Sequence, residues 1–181
     1  MISFSLKEIE PEANLTVNRA LHSPNTAVVD PHLILEKIYS ELKKSGVTIL
    51  FNEKVVLANP DLSTIETNNG NIFKYGHLIN CTGQYSDVVS KIFNVGCKYT
   101  LLPFKGVYYG LNKDSDIKIN GLIYPVPDLN VPFLGIHSVK LINEDIYFGP
   151  TATPAFGREN YYGIKGVNIK DASSISYHLL R

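Results

Sequence analysis

Two groups of residues in this chain could do chemistry. The first is the short glycine turn Cys81-Thr82-Gly83, which follows a predicted strand at 76–80. A glycine directly after a buried strand lets the backbone approach a bound pyrophosphate, with amide N–H groups aimed at it. From these residues alone, a plain turn between a strand and a helix is the simpler interpretation.

The second group combines aromatic side chains with one cation: Tyr108, Tyr109, Tyr124, His137 and Arg158. Tyrosine rings would wall a small substrate, their hydroxyls would orient it, and a cation would hold its carboxylate. Histidine suits proton transfer near neutral pH, so His137 is the candidate base. The alternatives are packing for the tyrosines, a hydrogen-bonded strand end for His137, and a surface cation for Arg158.

The elements that position these residues begin with a helix. Asp30 can cap it, Pro31 suits its first position, apolar residues recur at helical spacing through Leu42, and Gly46 closes it. The apolar run 47–51 that follows predicts a strand buried on both faces, the second half of an α/β unit. In the sequence before Asp30, the apolar residues show no sustained helical or strand spacing.

A three-stranded meander is predicted next, at 55–58, 64–67 and 71–75, because Asn69-Gly70 between alternating runs is a strong hairpin signal. Residues 76–80 read as a further strand and 86–93 as a helix. Beyond Gly96 the pattern predicts a largely antiparallel sheet with strands at 101–111, 121–126, 133–139 and 145–148. A helix is predicted from about Ser173.

Several co-linear strings resemble a known family: LINCTGQYSD (78–87), LLPFKGVYY (101–109), GLIYPVPD (121–128), PFLGIH (132–137) and FGPTA (148–152). They resemble the D-amino-acid-oxidase-like superfamily of FAD-dependent oxidoreductases, and within it the L-2-hydroxyglutarate oxidase and dehydrogenase family. The resemblance covers about residues 8–165. It implies an α/β plus antiparallel β fold, in which a partial FAD-binding α/β domain without its N-terminal Gly-rich unit precedes a substrate-domain antiparallel sheet.

The domains expected from this resemblance are a lead-in segment at 1–30, a partial FAD-binding domain at 31–95, a substrate-binding β domain at 96–165 and a helical tail at 166–181. The implied reaction transfers a hydride from a small 2-hydroxyacid to FAD, the implied cofactor. The implied cofactor contacts are Val55, through its backbone, and Cys81, Thr82 and Gly83. The implied substrate contacts are Tyr109, Tyr124, His137 and Arg158, with His137 also the candidate catalytic residue.

The chain departs from the resembled family in three respects that bear on activity. The C-terminal segment expected to close over the flavin and the His-containing Gly-rich segment expected to carry the family's principal base have no equivalent here, and the third departure concerns the dinucleotide-binding turn. No two of its 13 glycines are separated by a single residue, so the sequence contains no Gly-x-Gly-x-x-Gly turn. We therefore expect an internal fragment of an enzyme that is inactive alone and that needs a homo-oligomer or a separate chain for the missing FAD-binding parts. The alternatives are a non-catalytic interaction module, a decayed gene product, or a glycine- or glycerophosphate-oxidase-like flavoenzyme.

The amino-acid composition narrows the classes of function that remain open. Seventeen basic residues balance seventeen acidic ones without clustering, which argues against nucleic-acid binding. The two cysteines fit neither a zinc site nor a disulfide framework, so no metal is expected. No apolar run reaches the roughly 20 residues of a membrane span. The expected location is the cytoplasm, with peripheral attachment to a membrane left open.

Overall fold

A computed structural model describes residues 5–14, 19–130 and 135–179 of the chain. Two compact units are present: unit one comprises Met1–Lys44 and Gly106–Thr153, and unit two comprises Ser45–Lys105 and Pro154–Arg181. The units interleave along the chain and do not coincide with the divisions expected at 30, 95 and 165. Those divisions concern domains of a whole enzyme and stay predictions.

The described residues form short helices and strands. The helices are α1 (Leu6–Ile9), α2 (Pro31–Lys44), α3 (Ser86–Ile92) and α4 (Ile169–Leu179), with a 3₁₀ turn at Gly83–Tyr85 before α3. The strands are β1 (Val55–Asn59), β2 (Thr64–Thr67), β3 (Ile72–Lys74), β4 (Phe104–Lys105), β5 (Tyr109–Gly110), β6 (His137–Lys140), β7 (Ile146–Gly149) and β8 (Thr153–Pro154).

In unit one, the predicted helix after Asp30 is confirmed as α2. The Asp30 carboxylate accepts hydrogen bonds from the N–H groups of His32 (2.8 Å) and Leu33 (3.3 Å), which caps the first turn. The helix ends two residues before Gly46, whose φ of +77° lies in the left-handed region that glycine adopts without strain. None of the side chains of α2 is buried.

The sheet of unit one has the order β5-β7-β6 and is antiparallel, as predicted. His137 is in register with Gly149, and Tyr109 with Phe148. The predicted strand at 121–126 is reduced to a single bridge between Ile123 and Ser138. The start of the predicted strand at 133–139 lies outside the described residues, and its described part contributes to β6.

Unit two contains the predicted meander, with β1, β2 and β3 paired antiparallel in that order. Gly70 in the β2–β3 turn has φ +77°, as an Asn-Gly hairpin requires. The helices α3 and α4 are also confirmed, and α4 begins four residues earlier than expected because the Asn168 side chain accepts hydrogen bonds from Lys170 N–H and Asp171 N–H.

Other strand predictions were wrong. The segments 47–51 and 76–80 are not strands, and the long strand expected at 101–111 is reduced to β4 and β5. A buried strand needs paired neighbours on its edges, and the described part of the chain supplies none for the first two segments. Most of their apolar side chains are accordingly exposed, Ile79 by 83%, whereas Ile49 and Leu78 are half-buried.

The core of the chain is small for its mass. The described buried apolar side chains are Ala13 and Ile119 in unit one and Ala155 and Ile175 in unit two. The accessible surface is 14655 Å² for 20.1 kDa. Two fully separate compact domains of half that mass would together expose only about 10,500 Å². The surplus means that much apolar surface lacks cover in this chain.

Two further features concern the surface and the membrane. Cys81 and Cys97 are both exposed free thiols. Across residues 5–14, 19–130 and 135–179, no helix has the length and apolar character that crossing a membrane demands. The same residues contain no group of three or more His, Cys, Asp or Glu side chains placed to hold a metal ion.

Candidate functional site

The predicted base His137 is the centre of an aromatic cluster in unit one. Its ring stacks on Tyr124 with centroids 4.8 Å apart and planes at 29°, and Tyr108 meets it edge-on at 6.3 Å and 81°. The register of β6 creates this cluster: Ser138 bridges to Ile123, so the residues on either side, His137 and Tyr124, come together. His137 is only 9% exposed.

A hydrogen bond assigns the two nitrogens of the His137 ring. Nδ1 lies 3.2 Å from the carbonyl oxygen of Gly135. Because a carbonyl can only accept, Nδ1 carries the proton in the neutral ring, and Nε2 is left as the acceptor nitrogen. A neutral imidazole with its orientation fixed in this way can take a proton from a hydroxyl group.

Of the two adjacent tyrosines, Tyr108 and not Tyr109 lies against the His137 ring. Tyr109 is in β5, paired with Phe148, and is 73% exposed. Successive residues of an extended segment point to opposite faces, so only one of the two can meet His137. The roles of Tyr109 and Tyr124 as substrate contacts stay predictions.

Gly149 makes room for the Tyr108 ring. A Cβ atom at Gly149 would lie 2.8 Å from Cδ1 of Tyr108 and 2.9 Å from the carbonyl oxygen of Val107. Both distances are shorter than a carbon contact allows. Gly149 is also the register partner of His137. Because Gly149 has no side chain, the Tyr108 ring can pack closely against the backbone beside His137.

The predicted cofactor turn is exposed in unit two. Cys81, Thr82 and Gly83 are all exposed, Gly83 has φ +54°, and no atom lies within 4 Å of the position its Cβ would take. The side chain of Asn80 shapes the turn: its Oδ1 accepts from the Thr82 hydroxyl at 2.7 Å and its Nδ2 donates to the Ser86 carbonyl at 2.8 Å. The backbone of this turn can therefore be approached closely by a ligand.

Val55, the other predicted cofactor contact, is the first residue of β1. It is in register with Thr67 of β2, and a bulge interrupts the pairing between Val55 and Leu57. β1 is the outer strand of its sheet, so one side of its backbone faces away from β2. Among the described residues no strand pairs with that edge, so it can accept a backbone contact, as a backbone-mediated role requires.

Arg158 is engaged by an acidic partner within unit two. Its Nη1 is 2.8 Å from Oδ1 of Asp87, its Nη2 donates to Oδ2 at 2.9 Å, and Nη1 also donates to the carbonyl oxygen of Gln84. Both side chains are nearly buried, with 10% and 6% exposed. Asp87 is therefore the observed partner of Arg158. The contact of Arg158 with a substrate carboxylate stays a prediction.

Among the described residues, one oxygen of the Asp87 carboxylate, Oδ2, accepts all of its hydrogen bonds, whereas Oδ1 is buried and has only the ion-pair contact with Arg158. Oδ2 also accepts from the Thr100 hydroxyl and the Leu101 N–H, each at 3.1 Å. Burial by itself would raise the pKa of Asp87, but the Arg158 hydrogen bonds and charge, with the Leu101 N–H, outweigh it and hold the pKa below its ordinary value.

A second set of hydrogen bonds joins the same two segments. Oε1 of Glu159 accepts from Nε2 of Gln84 and from the hydroxyl of Tyr85, both at 2.9 Å. The Tyr161 hydroxyl donates to Oε1 of Gln84 at 3.2 Å. Burial, and then the hydrogen bond and charge of Glu159, raise the pKa of Tyr85 above its ordinary value.

The site includes residues that the sequence did not single out. Asn80, Asp87 and Glu159 hold the cofactor turn or its neighbours, as described above. The signal for Asn80 was available, since an Asn directly before a glycine turn commonly bonds the backbone two residues on. Asp87 gave no local signal, because its partner is 71 residues away.

Comparison with known proteins gives a consistent set of relatives. A family model described as FAD dependent oxidoreductase matches residues 1–176. The chain is 37% identical over 145 residues to L-2-hydroxyglutarate dehydrogenase of Indibacter alkaliphilus, covering 78% of this chain and 36% of that protein. It is 30% identical over 194 residues to the mitochondrial L-2-hydroxyglutarate dehydrogenase of Nematostella vectensis, covering 97% and 41%.

A third relative is similar in extent. The L-2-hydroxyglutarate dehydrogenase of Escherichia coli K12 is 30% identical over 158 residues, covering 86% of this chain and 37% of that protein. The chain thus spans between 36% and 41% of the length of these three relatives.

Proposed function

This chain belongs to the family of FAD-dependent oxidoreductases, and from that membership we propose that it is part of an enzyme oxidising a small 2-hydroxyacid of the L-2-hydroxyglutarate type. The observation that carries the proposal is the match of residues 1–176 to the family model. The substrate class rests on relatives that bear the name L-2-hydroxyglutarate dehydrogenase at 30% to 37% identity.

The residues of unit two fit the cofactor that the family uses. An exposed glycine turn with open space at Gly83 suits the close approach of a pyrophosphate, and the free edge of β1 at Val55 suits a backbone contact with the adenine. We assign Cys81, Thr82 and Gly83 to the phosphate side and Val55 to the adenine side. The chemistry that FAD supplies when bound is acceptance of a hydride from the hydroxyl-bearing carbon.

The residues of unit one supply the proton chemistry in this proposal. Nε2 of His137 accepts the proton of the substrate hydroxyl as the carbon–hydrogen bond breaks, so that a 2-oxoacid forms. The stacked Tyr124 holds the imidazole plane and, with Tyr109, orients the substrate. Arg158, in unit two, remains a proposed contact for the substrate carboxylate, through guanidinium N–H groups that it does not donate to Asp87.

Further polypeptide is needed to complete the enzyme. The large accessible surface supports a partial FAD-binding domain, as do the exposed apolar side chains of Leu50 and Ile79 and the absence of a Gly-x-Gly-x-x-Gly pattern from the sequence. We propose that this chain is inactive alone and that further polypeptide, in the same or another chain, covers these apolar faces. The same exposed surface favours a second candidate, a non-catalytic interaction module.

A graft tests the function directly. The matching segment of the Indibacter alkaliphilus relative is replaced by this chain, and the purified protein is mixed with L-2-hydroxyglutarate without oxygen. We expect a yellow protein whose flavin absorbance bleaches with L-2-hydroxyglutarate and not with glycine or glycerol 3-phosphate. If flavin is bound but L-2-hydroxyglutarate does not bleach it, the proposed substrate class is wrong. A folded but colourless graft would favour the interaction module.

A further inference from the structure

The strongest unassigned feature of unit two is a set of contacts that joins two segments distant in sequence. Arg158 donates from Nη2 to Asp87, pairs with the other carboxylate oxygen through the charge on Nη1, and also donates from Nη1 to the Gln84 carbonyl. Glu159 accepts from Gln84 and Tyr85. We call Arg158, Glu159 and Tyr161 the 158–161 clamp.

The clamp holds the residues that immediately follow the glycine turn. Gln84 and Tyr85 form the 3₁₀ turn with Gly83, and Asp87 lies in the first turn of α3. Gln84 is held three times, by its carbonyl oxygen, its amide nitrogen and its amide oxygen. Gly83 has a left-handed φ and open space around it, so its own surroundings do not fix its conformation.

Burial strengthens the Arg158 part of the clamp, whereas Glu159 and Tyr161 are exposed. Arg158 and Asp87 are nearly shielded from water, and the carboxylate also accepts from Thr100 and Leu101. The charge-assisted hydrogen bond from Nη2 to Oδ2 of Asp87 and that from Nη1 to the Gln84 carbonyl fix the guanidinium in direction as well as distance. The removal of one member of the Arg158–Asp87 pair leaves an uncompensated buried charge, so the geometry is strongly favoured over alternatives.

We propose that Arg158 and Glu159 are positioning residues that hold the Thr82–Gly83 turn in the conformation that receives its ligand. The inference rests on the proposed function only in taking that ligand to be the dinucleotide FAD. Its structural content is that residues 82–87 have a fixed conformation because residues 158–161 hold them. This role explains why the Arg158 guanidinium is directed at Asp87 and Gln84.

Amide hydrogen exchange on the full chain without FAD tests the clamp. We expect Arg158→Met to accelerate exchange of the amides at 82–87 by about tenfold or more, because a buried charge-assisted pair is lost. Arg158→Lys keeps the charge but not the fork and should restore part of the protection. Tyr85→Phe, which leaves no buried charge unpaired, should accelerate the same amides to a smaller extent.

Lys91→Met is the matched control. Lys91 lies on α3 with Nζ 3.8 Å from Asp87, yet it is 39% exposed and does not contact the turn, so we expect unchanged exchange at 82–87. The β1–β3 meander should keep its exchange rates in every variant. The proposal would be overturned if the amides at 82–87 exchanged at wild-type rates in Arg158→Met, Arg158→Lys and Tyr85→Phe. Equal acceleration of exchange in the meander would also overturn it.

Flavin fluorescence separates this inference from the proposed function. In the grafted enzyme, Arg158→Lys should weaken FAD binding several-fold while Lys91→Met does not. Absence of FAD binding by the graft that carries the wild-type chain counts against the cofactor role of this chain, and the exchange measurement still decides whether the clamp exists. Equal FAD affinity in wild type and Arg158→Lys, with faster exchange at 82–87, would overturn the link between clamp and ligand.

Discussion

The imidazole of His137 is stacked on the phenol ring of Tyr124, with centroids 4.8 Å apart. The two residues come from separate segments, and the bridge between Ile123 and Ser138 is the backbone link that brings them together. The side-chain hydroxyl of Ser138 strengthens that link by accepting the Ile123 N–H at 3.1 Å. A short polar side chain in β6 thus supports the position of the candidate base.

Replacement of His137 tests its role as the base. In the grafted enzyme, His137→Gln should lower kcat by about 10²- to 10⁴-fold, the contribution typical of a positioned general base, with a much smaller change in KM. The measurement is the rate of flavin bleaching by L-2-hydroxyglutarate. His77→Gln, an exposed histidine in unit two, is the control and should leave the rate unchanged. A kcat within about threefold of wild type would remove His137 from the mechanism.

Addition of a methyl group at Gly149 tests the packing beneath the cluster. Gly149→Ala should destabilise unit one by about 1–3 kcal/mol, because its Cβ meets the Tyr108 ring and the Val107 carbonyl. Urea denaturation followed by tyrosine fluorescence measures the change. Gly76→Ala, where no atom lies within 4 Å, should stay within about 0.5 kcal/mol of wild type. Equal effects in both variants would contradict the packing argument.

A comparison of two glycines separates strain from cofactor binding. Gly83 and Gly70 both have positive φ and open space, so Gly83→Ala and Gly70→Ala should each cost about 1–2 kcal/mol of stability. Only Gly83→Ala should weaken FAD binding, measured by flavin fluorescence in the grafted enzyme. If Gly70→Ala weakens binding equally, the effect is one of general stability and the turn is not the cofactor contact.

Acid should destabilise unit two through Asp87. Its pKa is lowered in the folded state, so its contribution to stability is fully present above the ordinary value of 3.8 and is lost as the pH falls through the lower, folded-state value. We expect the unfolding free energy to fall below about pH 4 in wild type. In Asp87→Asn that fall should be shallower, from a lower starting stability. Parallel pH profiles of the two proteins would show that Asp87 does not carry the acid sensitivity.

The uncovered face of α2 should promote self-association. Leu35 is 64% and Ile38 49% exposed on this helix. Replacement of both by Glu should leave the thermal midpoint nearly unchanged and reduce concentration-dependent association, measured by sedimentation velocity. Glu36→Gln on the same helix is the control and should associate as wild type does. Association that persists in the double variant would assign it to another surface.

Local signals predicted the parts of the fold that form locally. Asp30 and Pro31 predicted the start of α2, and Asn69-Gly70 predicted the β2–β3 hairpin, because caps and tight turns depend on a few adjacent residues. The apolar pattern at 47–51 and 76–80 was misleading, because no strand in the described part of the chain lies beside these segments. The sequence drew attention to His137 and Gly83, but the contacts of Tyr108 and Asp87 depend on register and distant segments.

The 158–161 clamp also has a consequence for the order of events during synthesis. Asp87 and Arg158 are 71 residues apart, which a ribosome takes roughly 4 to 14 s to add. Until Arg158 emerges, the glycine turn has the contacts of Asn80 but lacks those of the 158–161 clamp. Cofactor loading at this turn is therefore expected to follow translation of residue 161, and a nascent chain stalled before that point should not retain flavin.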